Sequence, residues 1–458
     1  MDRQARQRRT PGSQGLSGLQ ALSAKIVRKL AAAVGAILSL AGAARAQTAT
    51  LIRPPPPTPQ MAGFNAERLR AIDALMQREI DNGQIAGSVT LLVRHGKTIL
   101  FNTHGRRDLD SPDPMPRDAL FRIRSETKPV TGVAMMMLYE QGLWGLDDPV
   151  TKFVPEFSDL KVIAGTDAAG QPILEPLARS PTMRELMTHT AGFAYGLAAD
   201  GPADTAYLNA GVLTSSSAAE MIGKIASLPM VSQPGVKWRY SAATDIQGYI
   251  VEKLSGQTLA QFMSQRIFQP LGMVDTGFYV PPAKIGRLAG FYDADPVTGK
   301  LIRAPERGGD ITIEPGLASG GGGLISTAPD FGRFAQMILN NGELNGQRLL
   351  KPETVALMRA NHLPDSFMVM SNGTRASPLG TGVGFGLDWA VWLDPRATGA
   401  PVGAGTVSWG GSAGTWFWVD PKNDLYFIGM IQRQGGTGGG LDAATRSLTY
   451  QALVDPAQ

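Results

Sequence analysis

Residues that read as β-strand lie towards the two ends of this chain, and residues that read as helix fill the middle. Ser88 to Val93 and Thr98 to Thr103 have the apolar, β-branched character of strands and are joined by a turn around His95-Gly96-Lys97. Phe385 to Leu393, Thr415 to Val419 and Leu425 to Ile431 repeat that character near the other end. Between them the apolar spacing is helical, over Ala218 to Ile225, Ser241 to Leu254, Leu259 to Phe268 and Ala328 to Leu339. Strands split in this way predict one antiparallel sheet, drawn from both chain ends and flanked by helices from Asn65 to Asp81 and Leu441 to Leu453. The expected class is α+β, an α/β sandwich with an all-helical lobe inserted at roughly 110–300 and a cleft between lobe and sheet. The 458 residues, 43% of them hydrophobic, suffice for a large core in one composite domain or two.

The first sixty residues belong to neither part. Lys25, Arg28 and Lys29 precede the apolar run Leu30 to Ala44, and Ala44-Arg45-Ala46 offers small residues for cleavage, so residues 1–46 read as a signal peptide. The run is short and alanine-rich for a membrane span, although a retained N-terminal anchor is the alternative. Arg8-Arg9 lacks the apolar continuation of a twin-arginine signal. Residues 47–60, with Pro54 to Pro57 and Pro59, make a stiff extended linker, and residues 61–458 form the folded domain. Export to the periplasm or medium is the expectation, with no stable membrane association after cleavage. The leader carries eight basic residues and one acidic residue, so its removal takes the formal net charge from +4 to −3. The mature chain therefore has no basic patch that implies nucleic acid. Cysteine is absent, which excludes disulfides and thiolate metal sites.

Ser125-Glu126-Thr127-Lys128 opens an apolar helix that runs through Val133 to Leu138 and stops at Gly142. Residues i and i+3 share a helix face, so the Lys128 amine can reach the Ser125 hydroxyl. Serine needs such a base to become a nucleophile near neutral pH. About one S-x-x-K is expected by chance in a chain of this length, and a second copy exists at Ser158-Asp159-Leu160-Lys161. No apolar helix follows that copy, which reads as surface loop.

Tyr240 stands at the entrance of the helix capped by Ser241, after Gln233-Pro234-Gly235-Val236-Lys237-Trp238. Its phenolate, helped by a neighbouring ammonium, would be a competent base, so Lys128 and Tyr240 are candidates for one coupled acid–base pair; an ordinary buried tyrosine is the alternative. Trp409-Gly410-Gly411-Ser412 precedes a strand, and its glycines allow close approach of a substrate. The amide N–H groups of Ser412 and Ser125 are candidates for an oxyanion hole. Gly410-Gly411-Ser412-Ala413-Gly414 also spells G-x-S-x-G, but it leads into a strand and not a helix. His189, in Thr188-His189-Thr190-Ala191-Gly192, reads as a structural histidine more readily than as part of a Ser-His-Asp triad. His95, His104 and His362 have no metal-ligand spacing.

These pieces together resemble the serine β-lactamase and penicillin-binding-protein superfamily, in particular the class C-like family VIII carboxylesterases. The resemblance runs from about Gly63 to Leu453 and rests on Phe121 to Pro129, Thr188 to Phe193, Tyr240-Ser241, Ser319 to Gly323 and Trp409-Gly410-Gly411. It implies Ser125 as the acylated nucleophile, Lys128 and Tyr240 as the base/acid pair, and Trp409-Gly410-Gly411 as the third motif. A formal Tyr-x-Asn element at Tyr207-Leu208-Asn209 lacks the approach and helix that Tyr240 has. Two departures concern substrate: Trp409 stands where β-lactamases and D,D-peptidases carry a lysine for the substrate carboxylate, and Ala242 replaces an amide. Both favour neutral short-chain esters, with β-lactams as a side activity. An amide-bond hydrolase (peptidase, D-aminopeptidase-like or β-lactamase) is the nearest rival, and a non-catalytic binding protein a distant third. The expected partner is a small-molecule ester or amide, and no metal or organic cofactor is implied.

Overall fold

The computed structural model describes residues 62–306, 309–368, 376–399, 401–436 and 440–456. The segments expected to be a signal peptide (1–46) and a proline-rich linker (47–60) lie outside these residues. Seven antiparallel strands form the sheet: β1 (Gly87–Arg94), β2 (Lys97–Gly105), β3 (Val383–Phe385), β4 (Ala390–Trp392), β5 (Val407–Gly411), β6 (Thr415–Asp420) and β7 (Leu425–Met430). Their order across the sheet is β3-β4-β5-β6-β7-β1-β2, so the two chain ends meet where β1 pairs with β7, Val89 opposite Met430 and Leu91 opposite Ile428. The β1–β2 connection is tight: Arg94 pairs with Lys97, and His95 and Gly96 between them both have positive φ, 52° and 66°. That is the two-residue turn whose twist suits a hairpin.

Both faces of the sheet are apolar and both are covered. On one face Trp416, Trp418 and Phe427 meet Leu69, Ile72 and Met76 of helix α1 (Ala66–Asp81) and the terminal helix α5 (Leu441–Ala452). Trp418 and Phe427, directly opposite in β6 and β7, stack 4.4 Å apart. On the other face Val89, Leu91, Phe417 and Ile428 pack against α4 (Ala328–Leu339) and α2 (Thr127–Glu140). Arg94 ties the ends together, donating to the carbonyls of Ala62 (2.8 Å), Asn423 (3.0 Å) and Asp455 (2.7 Å).

Helix α2 is buried on every side from Thr127 to Leu138, which makes it the central helix and not an amphipathic one. It packs against α3 (Ala243–Ser255) of the inserted lobe.

The lobe is not all-helical. It carries an exposed hairpin, Lys161–Thr166 with Pro172–Pro176, and a short one, Tyr292–Ala294 with Leu301–Arg303. The first turns on Asp167, whose carboxylate accepts the Ala169 and Gln171 N–H groups. Each hairpin buries a single strand residue, Val162 or Tyr292, too little to produce the apolar alternation that betrays a strand. The run Phe385 to Leu393, expected as one strand, breaks into β3 and β4. The Leu387 and Asp388 N–H groups turn away to the Met358 and Met187 carbonyls, and the Gly386 N–H closes on Trp389 O at 2.9 Å.

Candidate active site

Ser125 lies in a 3₁₀ turn, Arg124–Glu126, that feeds directly into α2. Arg124 before it is held at φ 45°, a left-handed conformation that a non-glycine residue adopts only when its surroundings impose it. Lys128 is the second residue of α2, and Pro129 is tolerated because first-turn N–H groups have no helical acceptor. The Thr127 hydroxyl accepts the Leu324 N–H at 3.1 Å, anchoring this turn to the glycine-rich segment before α4.

The Lys128 ammonium is fully buried. It has three N–H donors, and three acceptors surround it: Gly321 O at 2.6 Å, Tyr195 Oη at 2.8 Å and Ser125 Oγ at 3.4 Å. Burial alone would lower its pKa, but Tyr195, Tyr240 and the Asp245 carboxylate more than offset that, and the net direction is upward. Burial raises the Tyr195 phenol in turn. The resting pair is thus an ammonium donating to a neutral phenol.

Tyr240 is brought to the same place. Its ring centroid lies 4.6 Å from Lys128 Nζ, and its buried hydroxyl makes no hydrogen bond among the described residues. The segments holding the two tyrosines are joined by their backbones: Gly235 N–H to Thr190 O (2.9 Å), Arg239 N–H to His189 O (2.8 Å) and Ala242 N–H to Ala194 O (3.0 Å). Asp204 adds a second tie, accepting the Tyr195 N–H at 2.9 Å and the Arg239 guanidinium at 2.6 Å. Ser241 is not the N-cap of α3, a position taken by Ala242; its hydroxyl accepts the Ala243 N–H at 3.4 Å and pairs with His189.

His189 is fully buried and its Nδ1 lies 3.2 Å from Ser241 Oγ. Burial, and then the Lys128 charge, push its pKa well below the ordinary value, so it is neutral. It packs edge-on or tilted against Trp238, Tyr240 and Phe385, which fits the structural reading and leaves the triad without support.

Trp409, Gly410 and Gly411 are part of strand β5 itself and do not merely precede a strand. The β4 partner stops at Ser408, so Trp409 to Gly411 have β6 on one side only. The Trp409 ring is 5.7 Å from Tyr240 and 5.5 Å from Phe385, which closes an aromatic wall beside Lys128. Gly411 lies directly against the carbonyl of Ile123, so the end of β5 rests on the Ser125 turn. Ser412 is exposed in the turn from β5 to β6, which leads into a strand as read from sequence. The second S-x-x-K is also on the surface, with Ser158 and Lys161 both exposed.

Two participants, Tyr195 and Asp245, went unnoticed in the sequence, and the part played by Gly321, within the Ser319 to Gly323 run, was not assigned. Tyr195 carries no periodic signal and becomes visible only through its bond to Lys128. A side chain at Gly321 would collide with Asp245, and one at Gly320 would sit 2.5 Å from Thr244 O. These glycines serve close packing, not mobility. Asp245, in the first turn of α3, accepts the Ser319 hydroxyl at 2.5 Å and the Gly321 N–H at 3.0 Å. Glu126, beside Ser125, is fully buried, and burial holds its carboxyl well above the usual range.

Comparison with known proteins identifies the family. Residues 70–451 match the family model described as Beta-lactamase. Protein Rv1367c of Mycobacterium tuberculosis is 39% identical over 362 residues, covering 78% of this chain and 88% of that protein. Esterase EstB of Burkholderia gladioli is 32% identical over 412 residues, covering 86% and 98%. Among solved structures, EstCE1, described as a hydrolase with promiscuous acyltransferase activity, superposes with a TM-score of 0.68 at 29% identity, covering 84% of this chain and 99% of its own. The chain therefore belongs to the beta-lactamase family, and within it to the family VIII-like esterases that its motifs resemble.

Proposed function

We propose that this chain is a serine carboxylesterase that acts on short-chain neutral esters through an acyl-enzyme on Ser125. The observation that carries this reading is the buried Lys128 ammonium shared by Ser125 Oγ, Tyr195 Oη and the Gly321 carbonyl. Tyr240, whose ring lies 4.6 Å from that ammonium, serves as the general base. Ser125 Oγ attacks the ester carbonyl carbon and its proton passes to Tyr240, while the amides of Ser125 and Ser412 receive the oxyanion. Collapse breaks the carbon–oxygen bond of the leaving group, and the alkoxide takes the proton back from Tyr240. Water then attacks the acyl-enzyme by the same route in reverse, releasing the acid and restoring Ser125. Trp409 puts an indole beside Tyr240 where a lysine would attract a carboxylate, which supports a neutral substrate. The basic and apolar leader at 1–46 supports export to the periplasm or medium, which we propose as the site of action.

The test compares p-nitrophenyl butyrate, nitrocefin and a panel of D- and L-peptides on wild type, Ser125→Ala and Ser412→Ala. Ester turnover lost in Ser125→Ala is expected, with nitrocefin a slower substrate. Ester turnover that survives Ser125→Ala and disappears in Ser412→Ala would sink the assignment of the nucleophile. Peptide turnover far above ester turnover would replace the esterase reading by an amide hydrolase.

A further inference from the structure

The three acceptors of the Lys128 ammonium are not held equally. Ser125 is on the same helix turn, and Tyr195 is anchored through its backbone to Asp204. Gly321, by contrast, sits in a glycine run whose 320–321 peptide is held by two side chains, Thr131 donating to the Gly320 carbonyl at 2.7 Å and Asp245 accepting the Gly321 N–H. Asp245 Oδ1 takes the Gly321 N–H at 3.0 Å and the Ser319 hydroxyl at 2.5 Å, clamping the segment just before the residue whose carbonyl binds Lys128. The carboxylate is 3% exposed and presses on the Gly321 Cα closely enough that no side chain fits there. Asp245 also starts the helix that Tyr240 enters, so one residue links the tyrosine segment, the glycine run and the ammonium.

We propose that Asp245 is a positioning residue of the active site: it aims the Gly321 carbonyl at Lys128 and supplies the negative charge that keeps the ammonium and the tyrosines balanced. This rests on the esterase reading of Ser125 and Lys128. The groups that face Lys128 are Tyr195 and Tyr240 from the two zipped segments, Asp245 from α3, His189 and Asp388. His189 is neutral, and burial holds Asp388 up at about 8, so below that pH Asp245 is the carboxylate that balances the cation. The Asp245 charge also helps to hold the Tyr195 phenol up, so without it Tyr195 ionises more readily against the ammonium and is a weaker base.

Asp245→Asn separates the two contributions, because its amide oxygen can still accept from Ser319 and Gly321 while the charge is gone. The full chain is assayed for p-nitrophenyl butyrate hydrolysis from pH 5 to pH 10, with thermal melting as the folding check. The expected result is a kcat lower by about tenfold to a hundredfold, KM within about twofold, and the acid limb of kcat/KM moved down by about one pH unit. Asp245→Glu keeps the charge but displaces the oxygen, so its kcat should fall while the acid limb stays in place. An Asn variant with the wild-type limb, or a Glu variant whose limb moves as far as that of Asn, overturns the proposal. Ser125→Ala run alongside tests the underlying reading separately, since hydrolysis that survives it refutes the acyl-enzyme whatever Asp245 does.

Discussion

Gly410 and Gly411 are neighbours in one strand, but the structure makes opposite demands on them. A methyl group built on Gly411 falls 2.6 Å from Thr415 Oγ1 and closer still to the Ile123 carbonyl oxygen. Ordinary contact is about 3.4 Å, so either the end of β5 or the Ser125 turn has to move by about 1 Å. A methyl group on Gly410 would sit 3.2 Å from Thr415 O and in ordinary contact with Trp416 Cβ at 3.9 Å, and a shift of a few tenths of an ångström relieves the first. A displacement of about 1 Å at reacting groups costs on the order of a hundredfold in rate, or about 2.7 kcal/mol of barrier. Gly411→Ala should therefore lose about a hundredfold in kcat for p-nitrophenyl butyrate, and Gly410→Ala less than about fivefold. Overpacking should cost Gly411→Ala about 1–3 kcal/mol of stability as well, so both variants are assayed well below their melting temperatures. Stopped-flow acylation bursts locate the loss in the step that needs Ser125 and Ser412 together. A Gly411→Ala enzyme that retains turnover within threefold of wild type would refute the view that β5 sets the geometry around Ser125.

Other expectations follow from buried polar groups. Tyr195→Phe removes the acceptor 2.8 Å from Lys128 and should lower kcat by about tenfold to a hundredfold, measured by initial rates at saturating ester. Asp388 is fully buried, and burial, only partly offset by Gln247, Thr244 and Lys128, raises its carboxyl to about 8. A carboxyl raised above its unfolded value contributes stability at low pH that is lost as pH rises through the folded pKa. Asp388→Asn should thus gain on wild type between pH 5 and pH 9, by a few kcal/mol at most, in urea unfolding at the two pH values. Arg94→Met should lose about 2–4 kcal/mol in the same assay with kcat unchanged, because three carbonyls lose their donor.

Much of this architecture was legible because local chemistry repeats. The strand runs at 88–103 and 415–431 alternate their faces against two helical layers, and the pattern of α1 is that of a helix with one buried side. Ser125 and Lys128 were readable because one helical turn puts them together. Tyr240 followed from the Pro234-Gly235 turn that delivers it. What stayed hidden depends on distant pairs: Tyr195 meets Lys128 across 67 positions and Gly321 across 193, and no window of sequence contains either. Nor could the glycine run at 320–323 announce that its lack of side chains makes room for α3. Strain was equally silent, although His189 at φ 56° and Asp388 at φ 68° bracket the site together with Arg124.

The sheet that closes between its first and last strands has a consequence for how the molecule comes into being. The contact that seals it spans most of the polypeptide, with Arg94 reaching Asn423 across 329 positions. During synthesis the β1–β2 hairpin waits with its inner edge unpaired until β7 emerges, and contacts so far apart in sequence form slowly. The early hairpin is therefore a hazard for pairing with other chains as long as the C-terminal quarter is missing. Truncation near the C-terminus should leave an aggregating chain and not a smaller active enzyme, because the last strand is the keystone of the first.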